Sequence, residues 1–274
     1  MISEVALYAL SFLMSPRVPH KARREAIGLW ARRRRCRAEW AEHEERTRVA
    51  IRTVGATVTG HRKAVVIGSG LLADVPIEWL CEQFREVVLV DICHLPVARF
   101  KVLRARGKAK VQFLTLDISG YDKLVMQTRI KLSTGQDDLG VRLDPLSVIR
   151  RMKNVDYVVS ANVLSQIAVA AEARLADKDG HANILPDDAV AQLVAGHVDS
   201  LASMPCKTCL VTDVAFDRID QTGARLESVD LLAGVALPKA FDSWSWTVAP
   251  FGEEAENSER VHRVVAIEDV AVEL

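Results

Sequence analysis

Lys63 to Asp91, KAVVIGSGLLADVPIEWLCEQFREVVLVD, reads as strand, glycine turn, helix and second strand, closed by an acid. Ala64 to Ile67 is a short unbroken apolar run, the pattern of a parallel strand covered on both faces. Gly68, Ser69 and Gly70 turn the chain; two glycines one residue apart let the backbone bend sharply and approach a ligand with no Cβ in the way. In the helix that follows, Asp74 is placed as N-cap and Pro76 in the first turn. Ile77, Leu80, Cys81 and Phe84 recur at helical spacing to make one buried face. Val87 to Val90 is the next buried strand. Asp91 stands at its carboxyl end, the edge of an open α/β sheet where ligands bind and where an acid can accept from ribose hydroxyls.

Two cofactor classes use such a unit. Gly68, Gly70 and Ala73 satisfy the dinucleotide fingerprint, with Asp91 near the usual distance of its ribose acid. A dinucleotide helix, however, starts directly from the glycine turn so that its N-terminus meets the pyrophosphate. Here Leu71 to Pro76 delay the helix, which suits a ligand lacking a pyrophosphate. A tight turn with no ligand is the bland alternative.

Downstream, Pro96 to Arg106 reads as a basic helix ended by Gly107, and Val111 to Leu116 as a third strand finished by Asp117. A second carboxylate at the same sheet edge can accept from an exocyclic amine while Asp91 holds a ribose; an ordinary turn Asp before Gly120 is the other reading. Ser133 to Arg142 reads as a surface loop or small hairpin, and Asp144 to Met152 as a short helix. Val155 to Ser160 is a fourth buried strand. It brings Asn162, Ser165 and Gln166 to the cleft ahead of the helical stripe Leu164, Ile167, Ala168, Ala171 and Leu175. A helix over Pro186 to Ser203 carries His197, read as a core histidine. Cys206 and Cys209 precede strand five, Cys209 to Asp213. With no second ligand pair for zinc they read as packed thiols, and no metal is expected. Phe216 to Phe241 shows no clear pattern. Ser243 to Val248 then alternates with Trp244, Trp246 and Val248 on one face, and Val261 to Ile267 returns as its antiparallel partner at the far edge of the sheet.

Upstream, residues 1–58 carry no strand signal. A short helix over Val5 to Met14 is stopped by Ser15, Pro16 and Pro19; one long helix then runs from about Lys21 to Val54, with Cys36, Trp40, Thr47, Ile51 and Val54 on one side. Arg35 with Glu39, Glu42 with Arg46 and Glu44 with Arg48 form i,i+4 pairs. Arg32 to Arg35 reads as a solvated face balanced by the acids that follow, while Trp40, His43, Glu44 and Arg48 are candidates for a patch over the cleft. Gly55 to Gly60 is a linker into the main domain.

Lys plus Arg equals Asp plus Glu at 36 each, so no global field recruits nucleic acid, which is not expected as a partner. No apolar run approaches the length of a membrane span, and the opening ISEVALYALSFLM lacks the basic start and cleavage pattern of a signal peptide. Five cysteines, an odd number, fit free thiols in a reducing cytoplasm, so a cytoplasmic location is expected.

Five βα units and a terminal hairpin, with a glycine turn after strand one and acids after strands two and three, resemble the class I S-adenosylmethionine-dependent methyltransferases from about Arg62 to Val270. The resemblance implies an α/β fold: a Rossmann-like, mostly parallel, seven-stranded sheet with a C-terminal antiparallel hairpin over residues 59–274. The helical N-terminal extension, 1–58, would then be a lid or a homodimer contact. It implies S-adenosyl-L-methionine as cofactor and a small molecule as methyl acceptor. Gly68, Ser69 and Gly70 would pass beneath the methionine part, Asp91 would hold the ribose, Asp117 with Ile118 the adenine, Ile92 would also belong to the cofactor site, and Asn162 would begin the loop facing the transferred methyl. The chain departs from the family at Val66, where members usually carry an acid, and at Leu72, where they carry a third glycine. No Asn-Pro-Pro-Tyr run of the base-methylating branch follows strand four, and no catalytic base is identified. His94 near Asp91 reads as packing on the adenine side. An NAD-dependent oxidoreductase and a catalytically silent binding scaffold are the alternatives.

Overall fold

The computed structural model describes residues 2–135, 141–176 and 184–270. Its element order is α1 (Ile2–Met14), α2 (His20–Arg35), α3 (Arg37–Gly55), β1 (Lys63–Ile67), α4 (Ile77–Gln83), β2 (Glu86–Asp91), α5 (Pro96–Ala105), β3 (Lys110–Thr115), α6 (Tyr121–Ser133), α7 (Ser147–Arg150), β4 (Tyr157–Ala161), α8 (Leu164–Ala176), α9 (Ala189–Ala202), β5 (Lys207–Asp220), β6 (Arg225–Asp230), β7 (Asp242–Ala249) and β8 (Ser258–Glu268). Part of the expected Ser133 to Arg142 loop, residues 136–140, lies outside the described residues.

The strands form one sheet in the order β3-β2-β1-β4-β5-β8-β7. β1 to β5 are parallel, with Val66 paired to Leu89 on one side and Val159 on the other, so the strand order reverses between β1 and β4. Crevices at such a switch point, outside the carboxyl ends of the strands, are where α/β sheets bind ligands. Alternate residues of each central strand enter two separate cores. Val65, Ile67, Val88 and Val90 pack with α6, α8 and α9, while Ala64, Val66, Val87 and Leu89 pack with α3, α4 and α5. This three-layer arrangement explains why β1 and β2 are apolar at nearly every position.

The sheet has eight strands where seven were expected. The extra one is β6, which pairs with the outer half of β5 from Ala215–Asp230 to Ile219–Arg225. β5 runs on to Asp220, well past the expected end at Asp213. β8 covers its other edge throughout, so β6 lies in line with β4 and beyond it. β6 is exposed at almost every position, so it lacks the buried-face alternation that makes a strand legible in sequence.

The expected single helix over Lys21 to Val54 is broken at Cys36, where φ −96° and ψ 35° leave the helical region. Cys36 is buried against Trp40 and Val248, and the bend lets Arg32 and Arg35 reach Glu253 in the β7–β8 loop. Of the three expected i,i+4 pairs, the Glu44–Arg48 pair is kept, while Arg35 and Arg46 make longer reaches instead. Arg35 pairs with Glu253 and Arg46 with Asp242, both at 2.6 Å, and Glu44 and Arg48 approach only to 4.0 Å. α3 buries Ala50, Ile51 and Val54 in the same core as β1, β4 and β5, and Tyr157 donates to the Ile51 carbonyl at 2.8 Å.

Candidate functional site

The turn after β1 is left-handed at both glycines, with φ 74° at Gly68 and 44° at Gly70. A Cβ on Gly68 would lie 2.5 Å from the Ala161 carbonyl oxygen and 2.9 Å from Val163 Cβ, so β4 passes too close for any side chain. At Gly70 the nearest atoms are 3.8 Å away, which leaves the backbone face open. Gly70 N–H donates to Asp91 Oδ2 at 2.7 Å and Cys93 N–H to Oδ1 at 3.2 Å, fixing the carboxylate against the turn with lone pairs to spare. Burial raises the Asp91 carboxyl above its ordinary value, against the two backbone N–H groups that lower it. Leu72, in place of a third glycine, also has positive φ, 56°, and is wholly buried, so core packing offsets the strain.

Asp117 is exposed and accepts from Ser119 N–H at 2.8 Å in a turn that leads through left-handed Gly120 into α6. Ile118 is buried in the core, whereas Ile92, beside Asp91, is 38% exposed. Ser69 is buried and its Oγ has no partner. His94 contacts the Leu114 carbonyl and the Phe113 ring, and burial lowers its pKa.

Asp74 is not the expected N-cap. Pro76 precedes α4 without a side-chain cap, and the Asp74 carboxylate reaches the Asn162 side chain. Asn162 sits just past β4 with φ 51°. Its side-chain nitrogen lies 2.7 Å from Asp74 Oδ2 and 3.2 Å from Nε2 of His43, which descends from α3. Trp244 Nε1–H donates to His43 Nδ1 at 3.1 Å. Burial lowers the His43 pKa to about 3, so the ring is neutral and, with Nδ1 accepting, carries its proton on Nε2. Burial raises the Asp74 carboxyl above its ordinary value, and the bond that the Asn162 amide donates to it acts the other way.

The second half of the site comes from the far strands. His262 Nδ1 meets Asp213 Oδ2 at 2.5 Å, and the Ser165 hydroxyl donates to Asp213 Oδ1. Burial acts to raise the Asp213 carboxyl, and the His262 and Ser165 bonds override it, leaving its pKa lowered. The His43 ring stacks on Trp246 at 3.8 Å and 6°, and Trp246 meets His262 edge-on at 5.8 Å. His262 Nε2 and Trp246 Nε1 are both buried without a hydrogen-bond partner among the described residues. Each such atom costs about 1–3 kcal/mol.

No family model matches the chain, nor does any curated protein. Among solved structures it is similar to the 1,6-didemethyltoxoflavin-N1-methyltransferase of Burkholderia thailandensis with bound 1,6-didemethyltoxoflavin and S-adenosylhomocysteine (15% identity, 88% of this chain and 86% of that chain, TM-score 0.39). It is also similar to the glycopeptide N-methyltransferase MtfA complexed with S-adenosyl-L-methionine (12%, 80% and 76%, 0.34) and to a SAM-dependent methyltransferase of Leishmania major (11%, 78% and 70%, 0.32). These superpositions are loose. Strand order decides the matter: five parallel strands, reversed between β1 and β4, with antiparallel β8 inserted between β5 and β7. This is the class I methyltransferase fold.

Within that fold, Gly68, Ser69, Gly70 and Asp91 meet at one point of the sheet edge. Asp117 lies beyond Thr115, the register partner of Asp91, and Asn162 faces the opposite way, toward α3 and Asp74. Of the patch Trp40, His43, Glu44 and Arg48, His43 touches Asn162 and Arg48 donates to the Ala73 carbonyl, whereas Glu44 pairs with Arg33 and Trp40 donates to the Val248 carbonyl. Sequence reading missed Asp213 and His262 as partners. The available signal was parity: His262 alternates with Val264 and Ala266, opposite Trp246, on a face otherwise buried.

Proposed function

We propose that the chain is an S-adenosylmethionine-dependent methyltransferase acting on a small-molecule acceptor. One observation carries the reading: a carboxylate with free lone pairs, Asp91, is clamped against an open glycine turn at the switch point of a class I sheet. When bound, S-adenosylmethionine supplies a methyl group made electrophilic by the sulfonium.

The residues present fit that group. The free lone pairs of Asp91 accept the ribose hydroxyls, and exposed Ile92 offers an apolar surface to the adenine. Asp117 keeps one carboxylate oxygen clear of its own turn for the exocyclic amine. The open backbone face at Gly70 lies beneath the amino-acid part, with the buried, unpartnered Ser69 hydroxyl beside it. Val66 is wholly buried and takes no part. Residues 1–58 serve as a fixed cover: α3 lowers His43 onto Asn162 and Trp246, which excludes water from the acceptor side.

α4 begins only at Ile77, so no helix N-terminus stands at the turn to meet a pyrophosphate, and NAD is disfavoured. Calorimetry with S-adenosylhomocysteine and NAD in parallel tests the proposal. Heat with the former, abolished by Asp91→Ala, is expected. Heat with NAD alone retires it, and heat with neither favours a scaffold.

A further inference from the structure

The loop between the glycine turn and α4 carries a carboxylate that the fold leaves short of a counter-ion. Asp74 is half-buried, and it accepts from the Asn162 side chain at 2.7 Å and from its own backbone N–H. Three cations stand on the neighbouring helices, and each is engaged elsewhere. Glu44 takes Arg33 with both oxygens, at 2.5 and 2.9 Å; Arg48 donates to the Ala73 carbonyl and to Glu45; Lys101 donates to the Leu72 carbonyl at 2.6 Å. A half-buried carboxylate with a neutral amide as its side-chain partner is completed by a cation.

Two contacts fix where that cation belongs. A Cβ on Gly68 would touch the Ala161 carbonyl and Val163 Cβ, and Asn162, the residue between those two, is the one that meets Asp74. On the other side of the same turn, Gly70 N–H holds Asp91. β1 lies between β2 and β4, so the turn is flanked by Asp91 toward β2 and by Asp74 toward β4. A nucleoside with its ribose on Asp91 sends a 5′ substituent that crosses the turn toward Asp74. β1 brings no acid of its own, since Val65, Val66 and Ile67 are wholly buried apolar residues.

Resting on the methyltransferase reading, we propose that Asp74 receives the α-ammonium of the cofactor's amino-acid part, with Asn162 as a positioning residue that fixes the carboxylate. An ammonium offers three donors, and a carboxylate that accepts two bonds has lone pairs left for it. The site thereby selects adenosyl ligands that carry an amino-acid tail over neutral 5′-thioether nucleosides.

Calorimetry on the full chain with three probes tests this: S-adenosylhomocysteine, its deamino analogue with hydrogen in place of the amine, and 5′-methylthioadenosine, which lacks the whole tail. Wild type is expected to bind the first at least about tenfold more tightly than the second. Asp74→Asn is expected to bring those two within about twofold of each other, with 5′-methylthioadenosine changed less than about twofold. In wild type labelled with 13C at aspartate, the Asp74 Cγ signal should move with S-adenosylhomocysteine and stay in place with the deamino analogue. Equal binding of the first two probes, or a Cγ signal indifferent to the amine, overturns the subsite even if the variant fails to fold, and so does a preference that survives Asp74→Asn. In each of those cases 5′-methylthioadenosine still binds. Absence of heat from all three probes overturns the methyltransferase reading and the subsite with it.

Discussion

Acid should destabilise this fold through two buried histidines, and replacing one should remove half of the effect. His43 and His197 are 3% and 0% exposed, and burial lowers their pKa values to about 3 and about 4. Both are neutral in the folded chain, whereas in the unfolded chain each titrates near about 6.5. As pH falls below that value the unfolded state takes up protons that the folded state refuses. The stability is therefore present above about 6.5 and lost progressively down to the folded values. At about pH 5 the loss is about 2 kcal/mol per histidine, or about 4 kcal/mol for the pair. His197→Gln keeps a polar atom near the position of Nε2, which faces Ser160 Oγ at 3.0 Å, and removes one titrating group. Urea unfolding of wild type and variant at about pH 7.5 and about pH 5 is the assay. The variant should lose about 2 kcal/mol less on acidification, roughly 0.7 M in midpoint for a slope of about 3 kcal/mol/M. Asp74 and Asp91, with raised pKa values, and Asp213, with a lowered one, titrate alike in both proteins and cancel in the comparison. Equal pH responses would refute the claim that His197 is held neutral by burial.

Gly68→Ala forces a Cβ to 2.5 Å from a β4 carbonyl at positive φ, and should cost at least about 3 kcal/mol by denaturant melt; a loss under about 1 kcal/mol would show that β1 and β4 can part at this turn. Asp74→Asn tests the effect of burial on the Asp74 carboxyl. Because its folded pKa is raised, wild type should lose stability relative to the variant as pH rises from about 3.8 through the folded value, and a pH-independent difference would exclude a shifted carboxyl. Asp91→Ala should weaken S-adenosylhomocysteine by at least about 100-fold, and Asp117→Ala, at an exposed position, by no more than about tenfold; the reverse ranking would move the nucleoside along the sheet edge.

Much of the fold was legible because burial is periodic. β1, β2 and β4 are continuous apolar runs, as strands covered on both faces must be, and the Trp244–Trp246–Val248 alternation announced the outer hairpin. Asp91 could be placed against the glycine turn because a strand end and a glycine turn are both local features. The break at Cys36, the solvent-facing β6 and the true partners of Arg35 and Arg46 were not legible. None has a local pattern: the break and the two arginine pairs depend on elements about two hundred positions away in the chain, and β6, though it pairs with the adjacent β5, is exposed at almost every position.

The order of amino acids thus determined the parallel sheet, its glycine turn and the acid opposite it, since each follows from nearest-neighbour chemistry and side-chain periodicity. Tertiary structure alone decided that Asp74 leaves its helix for Asn162, that His43 comes down from α3 onto Trp246, and that His262 meets Asp213. Those contacts join segments whose separation carries no sequence signal, and they form only when α3 and the antiparallel strands close over the end of β4.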